Sequence, residues 1–197
     1  MAPKPETFAE KRSTYETVIV LGPSGYGKSS YVDETQEKYS ARGGKVWVVA
    51  PASNWLHHPG RVWTGLENLD SELAKLQRAG PGLIVFDDAD LYFRHPTGAR
   101  LEIIVANRHW QKDVMVVSRR PQGIHKDLFM IADSLVLFCQ RQAYARQYLA
   151  KELDSAALVK KIPKEKFHYL FIHRPTDSYA VQQTKPRAVI TASDRKP

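Results

Sequence analysis

Short apolar runs recur along the chain. Each has four or five residues, most of them Val, Ile or Leu, and they lie at 17–21, 45–49, 83–86, 114–117 and 134–138. Such runs are typical of strands buried on both faces, as in a parallel sheet covered by helices. The stretches between them are long enough for crossover helices. The pattern therefore predicts an α/β fold with a central, mainly parallel sheet and helices on both faces.

The segments between the strands are predicted to be helical. The helices are expected at 29–39, 64–79, 98–109, 124–130 and 140–161, the last in two parts. Thr64 and Glu67 resemble a capping box at the start of the second helix. Residues 51–63, rich in Trp, His, Pro and Gly, are predicted to be irregular. Two runs at 167–172 and 178–182, joined by a turn, predict a C-terminal β-hairpin.

The composition is that of a soluble globular protein, with 43% hydrophobic and 25% charged residues among 197. We expect one domain at 15–183, between a flexible arm at 1–14 and a basic, disordered tail at 184–197. The single cysteine, Cys139, excludes an intrachain disulfide framework and suits a reducing compartment. No signal peptide is apparent, and no run approaches the roughly 18 apolar residues of a membrane span.

The net charge of +8 is unevenly distributed. Residues 119–197 carry 15 Lys and Arg against 7 Asp and Glu, whereas residues 1–118 are balanced at 14 of each. A polyanionic partner that meets the C-terminal part is one interpretation. A solvated basic face that aids solubility is the other.

The first strand runs directly into a phosphate-binding loop. Residues 22–29 match the pattern GxxxxGK[ST], in which glycines curl the backbone around phosphates and the next helix presents its N-terminus to them. Lys28 would reach the β- and γ-phosphates, and the Ser29 hydroxyl would ligate Mg²⁺. The residues predicted to bind ATP are Gly22, Pro23, Ser24, Gly25, Tyr26, Gly27, Lys28, Ser29 and Ser30.

Two carboxylates follow the third predicted strand. Asp87 is placed to hold Mg²⁺, and Asp88 to orient or deprotonate the attacking water. Ligands of open α/β sheets sit at this carboxyl edge. The alternative role for such a pair, capping the next helix, loses weight because a phosphate loop lies about 60 residues upstream.

Arginines between the acidic pair and the fourth strand are candidates for stabilising charge on a transferred phosphoryl group. Arg100 and Arg108 are the preferred candidates for a finger into an adjacent subunit, although solvated arginines are commoner. On one helix they would lie about 80° apart around the axis and about 12 Å apart along it. Ser118, just after the fourth strand, either contacts the γ-phosphate or the attacking water, or simply ends the strand.

Basic and aromatic residues share one face of the predicted helix that begins at 140. Arg141, Tyr144, Tyr148 and Lys151 suit a nucleic-acid backbone, and they equally suit an amphipathic helix whose tyrosines pack inward. A basic run follows at 160–166. It is either solvated or binds phosphates.

Three segments resemble the FtsK–HerA branch of P-loop motor ATPases, most of all the small genome-packaging ATPases of membrane-containing viruses. They read GPSGYGKSS at 22–30, LIVFDDADLYF at 83–93 and NRHWQKDVMVVSRRP at 107–121, and ADSLVLFC at 132–139 resembles the family's fifth strand. The family usually has Glu where Asp88 stands, and many members have Gln where Ser118 stands.

The resemblance implies a P-loop NTPase domain of the RecA/ASCE type, with strand order 5-1-4-3-2. It also implies a homo-oligomeric ring, a pentamer or hexamer, that moves double-stranded DNA with ATP and Mg²⁺. By position, Asp87 is the acid of the second motif, and Arg108 best matches the finger arginine. The expected locations are the host cytoplasm or the virion, with a capsid or membrane vertex protein as a further partner.

Three other functions stay open. A filamentous-phage-type assembly ATPase would act at a membrane. A P-loop small-molecule kinase would need an acceptor pocket and a lid, and a regulatory switch would bind nucleotide with negligible turnover. DNA-stimulated hydrolysis distinguishes the packaging motor from all three.

Overall fold

The computed structural model describes residues 15–50, 61–64, 68–96 and 98–186. Within these ranges the chain forms an eight-stranded sheet in the order β3-β2-β4-β5-β1-β6-β7-β8. The strands are β1 (Thr17–Leu21), β2 (Lys45–Val49), β3 (Arg61–Thr64), β4 (Gly82–Phe86), β5 (Lys112–Ser118), β6 (Ser134–Phe138), β7 (His168–His173) and β8 (Ser178–Gln183).

The five strands predicted from apolar runs correspond to β1, β2, β4, β5 and β6. They are parallel to one another and lie in the predicted order, with β1 between β5 and β6. Strands β7 and β8 form the predicted hairpin, and β7 continues the sheet antiparallel to β6. The predicted fold class, a P-loop type α/β sheet with a C-terminal hairpin, is therefore confirmed.

One edge of the sheet differs from the prediction. The segment that was expected to be irregular ends in β3, which pairs with β2 in parallel. Thr64 is the last residue of that strand, so the predicted capping box is wrong. The following helix begins at Leu69 and has Asn68 at its N-cap. A four-residue edge strand that follows Pro and Gly carries too little periodicity to be recognised.

Six helices are described in these ranges: α1 (Lys28–Ala41), α2 (Leu69–Gln77), α3 (Ala99–Val105), α4 (Lys126–Ile131), α5 (Ala143–Glu152) and α6 (Ala156–Lys160). Helix α3 ends four residues earlier than predicted, so Arg100 and Arg108 do not share a helix. Asn107 closes the turn into β5, because its carbonyl accepts from the Lys112 N–H at 2.8 Å and its Nδ2 donates to the Lys112 carbonyl at 3.2 Å.

The core has two layers, one on each face of the sheet. Ile19 and Leu21 of β1 face the layer that α2 to α6 cover, whereas Val18 and Val20 face the layer under α1. All four are fully buried. Burial of each such side chain stabilises the fold by about 1.5–3 kcal/mol relative to exposure.

The described part of the chain extends past β8. Thr184, which was predicted to begin a disordered tail, is buried, and its hydroxyl donates to Glu34 of α1 at 2.7 Å. The predicted arm at 1–14 and the tail beyond 186 lie outside the described residues. Among the described helices, none has the length and apolar character that crossing a bilayer requires.

Candidate nucleotide site

The phosphate-binding loop connects β1 to α1 at the carboxyl edge of the parallel strands. Gly25 and Gly27 have φ values of 78° and 108°, which side-chain-bearing residues rarely adopt. A Cβ at Gly27 would also lie 2.9 Å from the Phe167 ring, so the loop packs closely against the start of β7. Both glycines are therefore required by the path of the backbone.

Lys28 is the first residue of α1, and its side chain turns back over the loop. Its Nζ donates to the Pro23 carbonyl at 3.2 Å. Burial lowers the pKa of Lys28, and the nearby carboxylates, Asp87 first among them, act in the opposite direction. The loop and the acidic pair are thus within electrostatic reach of each other.

The other loop residues divide into exposed and buried positions. Ser24 and Gly25 are exposed at the tip of the loop, and the Ser29 side chain is exposed in the first turn of α1. Ser30 is buried. The ring of Tyr26 is also buried, and the Arg141 guanidinium lies 5.1 Å from its centre.

The two carboxylates after β4 have different surroundings. The backbone N–H of Asp87 donates to the Val49 carbonyl at 2.9 Å, which fixes the strand end beside β2. Asp88 has a left-handed backbone, with φ 49° and ψ 47°. Its two carboxylate oxygens accept from Nε and Nη2 of Arg119 at 2.9 and 3.2 Å. Asp88 is thus held by a bidentate ion pair to the end of β5.

Ser118, the last residue of β5, connects the end of this strand to the turn that follows β4. The side chain is almost fully buried, and Oγ lies 2.5 Å from a carboxylate oxygen of Asp90 and 2.8 Å from the Arg120 carbonyl. The Arg120 N–H donates back to this hydroxyl at 3.2 Å. In this arrangement the hydroxyl holds Asp90 and the chain after β5, and its predicted contact with phosphate or water stays a prediction.

Each of the two candidate finger arginines forms an ion pair within its own chain. Arg100 donates from Nε to Asp70 of α2 at 3.1 Å. Arg108 donates from Nη2 to Asp133 at 2.8 Å, and the other Asp133 oxygen accepts from the Thr17 N–H at the first residue of β1. Arg108 therefore lies at the amino edge of the parallel strands, opposite the phosphate loop of its own chain.

A magnesium site would draw on one hydroxyl and one carboxylate. Ser29 lies in the first turn of α1, and Asp87 is close enough to Lys28 to affect its pKa. Oxygen donors of this kind, with water and phosphate completing the shell, are what Mg²⁺ prefers. Within the described ranges, no cluster of three or more His, Cys, Asp or Glu side chains offers an alternative metal site.

The residues predicted to share one face of α5 have different surroundings in the structure. Tyr148 packs its ring edge against Phe129 in the core, whereas Tyr144 is half-exposed. Arg141 precedes the helix and covers Tyr26 of the loop. The sequence gives no sign of the pair between Arg119 and Asp88, because that contact depends on the left-handed turn at Asp88.

The fold is shared with solved P-loop ATPases. The genome-packaging NTPase B204 of Sulfolobus turreted icosahedral virus 2, in complex with ATPγS, superposes with a TM-score of 0.77 at 16% identity, over 89% of this chain and 99% of that one. The crystal structure of B204, described as the DNA-packaging ATPase of Sulfolobus turreted icosahedral virus, gives 0.75 at 16% identity, over 88% and 98%.

A longer relative shares the same unit. ATPases 2 and 3 of EssC from Geobacillus thermodenitrificans give a TM-score of 0.67 at 11% identity, over 86% of this chain and 39% of that one. No protein-family model and no curated protein matches the chain. At these identities the likeness establishes the fold, and the predicted resemblance to genome-packaging ATPases is confirmed at the level of the fold.

Proposed function

We propose that this chain is an ATP-hydrolysing motor that translocates double-stranded DNA, with viral genome packaging into a capsid as its task. The observation that carries the proposal is the meeting of the phosphate loop, with Lys28, and the carboxylates Asp87 and Asp88 at one sheet edge. The fold likeness to packaging NTPases extends over almost their whole length, which supports this function over that of a kinase with added acceptor elements.

Each residue of the site has a distinct proposed role. Lys28 leaves the Pro23 carbonyl and binds the β- and γ-phosphates, which offer its ammonium a stronger, charged acceptor. Ser29 and Asp87 would hold Mg²⁺, which neutralises phosphate charge when bound. Asp88 orients or deprotonates the attacking water once its carboxylate is free of Arg119.

The proposed DNA partner rests on the charge of the C-terminal part. The whole net charge of +8 lies in residues 119–197. Within the described part of this region, Lys160, Lys161, Lys164 and Lys166 are all exposed at or after the end of α6. Exposed cations of this kind bind a phosphate backbone with strong dependence on salt.

The test is ATP hydrolysis by the purified protein with and without double-stranded DNA. We expect DNA to stimulate hydrolysis, and Lys28→Ala to reduce it by about 100-fold or more because the transition state loses a preorganised cation. Lys38→Ala, an exposed lysine of the same helix, is the matched control and should hydrolyse ATP normally. Hydrolysis that is indifferent to DNA, or that survives Lys28→Ala, would refute the proposal.

A further inference from the structure

A cavity of about 540 Å³ is lined by residues of 139–164, and residues next to this lining contact the phosphate loop. It lies between α5, α6 and the residues that follow β6, and its size is within the range of small-molecule sites. Three contacts connect its surroundings to the loop. A Cβ on Gly22 would lie 2.6 Å from that of Phe138, Arg141 covers Tyr26, and the Phe167 N–H donates to the Tyr26 carbonyl at 2.9 Å.

The orientation of a bound nucleotide follows from the strand order. Strand β1, which leads into the loop, has β5 and then β4 on one side and β6 on the other. The carboxylates that suit the metal and the terminal phosphate follow β4. A nucleotide with its phosphates on the loop and its γ-phosphate toward β4 therefore extends its base and ribose toward β6. The cavity opens on that side.

The cavity is lined by apolar, amide and basic side chains, a combination that suits a nucleoside. None of its twelve described lining residues is acidic. Most of the exposed lining is apolar, contributed by Cys139, Ala143, Ala150, Val159, Ile162 and Pro163. A flat aromatic base gains stability from burial against such walls.

The polar side chains of the lining provide hydrogen-bonding groups for the edge of a base and positive charge. Gln140 and Gln147 bring amide groups, which can both donate to and accept from the edge of a base. The Gln140 amide is oriented by the bond from its Nε2 to the Phe138 carbonyl at 3.2 Å. Arg146, Lys160 and Lys164 add positive charge, which attracts an anionic nucleotide to this part of the surface.

We propose that this cavity receives the base and ribose of ATP, an inference that rests on the proposed function of the loop. The base packs between the small side chains of α5 and α6, while its edge meets the amides of Gln140 and Gln147. The phosphates remain on the loop at 22–29. The affinity for ATP thus has two separable parts: the cavity binds the base and ribose, and the loop binds the phosphates.

Two neighbouring alanines of α6 provide a matched test. Ala156 lines the cavity and Ala157 does not, although both are exposed. Calorimetric titration with Mg-ATP and with Mg-tripolyphosphate, which lacks base and ribose, separates the two parts. We expect Ala156→Trp to weaken ATP binding by about 10-fold or more through lost apolar burial and to leave tripolyphosphate binding unchanged. Ala157→Trp should bind both ligands as the wild type does.

Each other outcome has a definite meaning. Unchanged ATP affinity in Ala156→Trp, or equal weakening of both ligands, would overturn the cavity assignment while the loop still functions. Reduced DNA binding with normal ATP binding would assign the cavity to the DNA backbone instead. A wild type that binds neither ATP nor tripolyphosphate would refute the proposed function itself.

Photolabelling of the wild type removes the dependence on a variant that must fold. Irradiation with 8-azido-ATP and Mg²⁺, followed by peptide mapping, should place the label between residues 139 and 164, and excess ATP should suppress it. A label found only outside this segment would overturn the inference.

Discussion

The pair of Asp88 and Arg119 joins the carboxyl ends of β4 and β5, and β5 is a neighbour of β1, which leads into the phosphate loop. The guanidinium occupies both carboxylate oxygens of Asp88, and its charge also lowers the pKa of Lys28. The role proposed for Asp88, to orient or deprotonate the attacking water, requires its carboxylate to leave this pair. An incoming γ-phosphate is a competing anion for the same guanidinium, so nucleotide binding itself can release Asp88.

Replacing Arg119 tests this exchange. We expect Arg119→Ala to lower kcat for ATP hydrolysis by about 10- to 100-fold, because the developing phosphate charge loses a donor in the site. The matched control is Arg120→Ala, whose side chain is exposed and whose contacts with Ser118 are made by its backbone. Steady-state kinetics of both variants measures kcat and KM separately. Unchanged or faster turnover in Arg119→Ala would mean that the arginine only restrains Asp88.

At the scale of single residues, the sequence predicts positions better than contacts. The motif places Lys28 and Ser29 at the start of α1, and the apolar run places Asp87 at the end of β4. Both placements follow from local pattern. The partners of Arg108 and Ser118 do not, because Asp133 and Asp90 are brought to them by strand order and by a turn. Such pairs depend on the tertiary fold.

At the scale of elements, the amino ends of β1 and β5 meet the last turns of α1 around one partly buried carboxylate, that of Asp113. Asp113 of β5 accepts from the Glu16 N–H at 2.8 Å and from the Tyr39 hydroxyl at 2.9 Å. Burial nevertheless raises the pKa of the Asp113 carboxyl to about 6, and these hydrogen bonds act against the shift. The charged form therefore destabilises the fold through lost hydration, although both hydrogen bonds favour it.

This carboxylate predicts how stability depends on pH. A raised carboxyl pKa means that the native state binds the proton more tightly than the unfolded chain, so the contribution of Asp113 falls as pH rises from about 4 to about 6. The difference corresponds to about 3 kcal/mol at most. Asp113→Asn removes the charge and keeps an acceptor for the Glu16 N–H.

Urea denaturation across this range is the measurement. We expect the free energy of unfolding of Asp113→Asn to rise relative to that of the wild type between about pH 4 and pH 6, and the difference to stay constant above. Other titrating groups are common to both proteins and cancel in the difference. Parallel pH profiles would contradict the buried-charge explanation.

The accuracy of the element predictions depended on burial. Strands β1, β4, β5 and β6 are buried on both faces, and their apolar runs identify them. Strand β3 has four residues at the sheet edge and was missed. Helix α3 was predicted too long because the apolar residues at its C-terminal end suggest further turns, whereas Val105 is in fact exposed. Periodicity does not distinguish a buried face from one left on the surface.

At the scale of the whole molecule, three large apolar side chains are exposed on the helices next to Arg108 and its partner Asp133. Leu101 and Val105 of α3 and Met130 of α4 are 41%, 63% and 77% exposed, and Asp133, which pairs with Arg108, follows α4 closely. Exposed apolar side chains beside a charged anchor are typical of a contact between subunits. Since Arg108 is at the sheet edge opposite its own loop, it can act on a nucleotide only across such a contact.

Mixing two inactive variants tests that arrangement. Lys28→Ala removes the phosphate-binding lysine, and Arg108→Ala removes the candidate finger, so each alone should hydrolyse ATP very slowly. In a mixed ring, an Arg108→Ala subunit keeps an intact loop and can receive the finger of a neighbouring Lys28→Ala subunit. We therefore expect ATP hydrolysis to reappear on mixing, most strongly near equal amounts, because the number of productive neighbour pairs is then greatest. Arg100→Ala, which removes the other candidate finger, serves as the comparison and should remain active if Arg108 is the finger. Normal hydrolysis by Arg108→Ala, or no recovery on mixing in a sample that light scattering shows to be oligomeric, would exclude Arg108 as a finger between subunits.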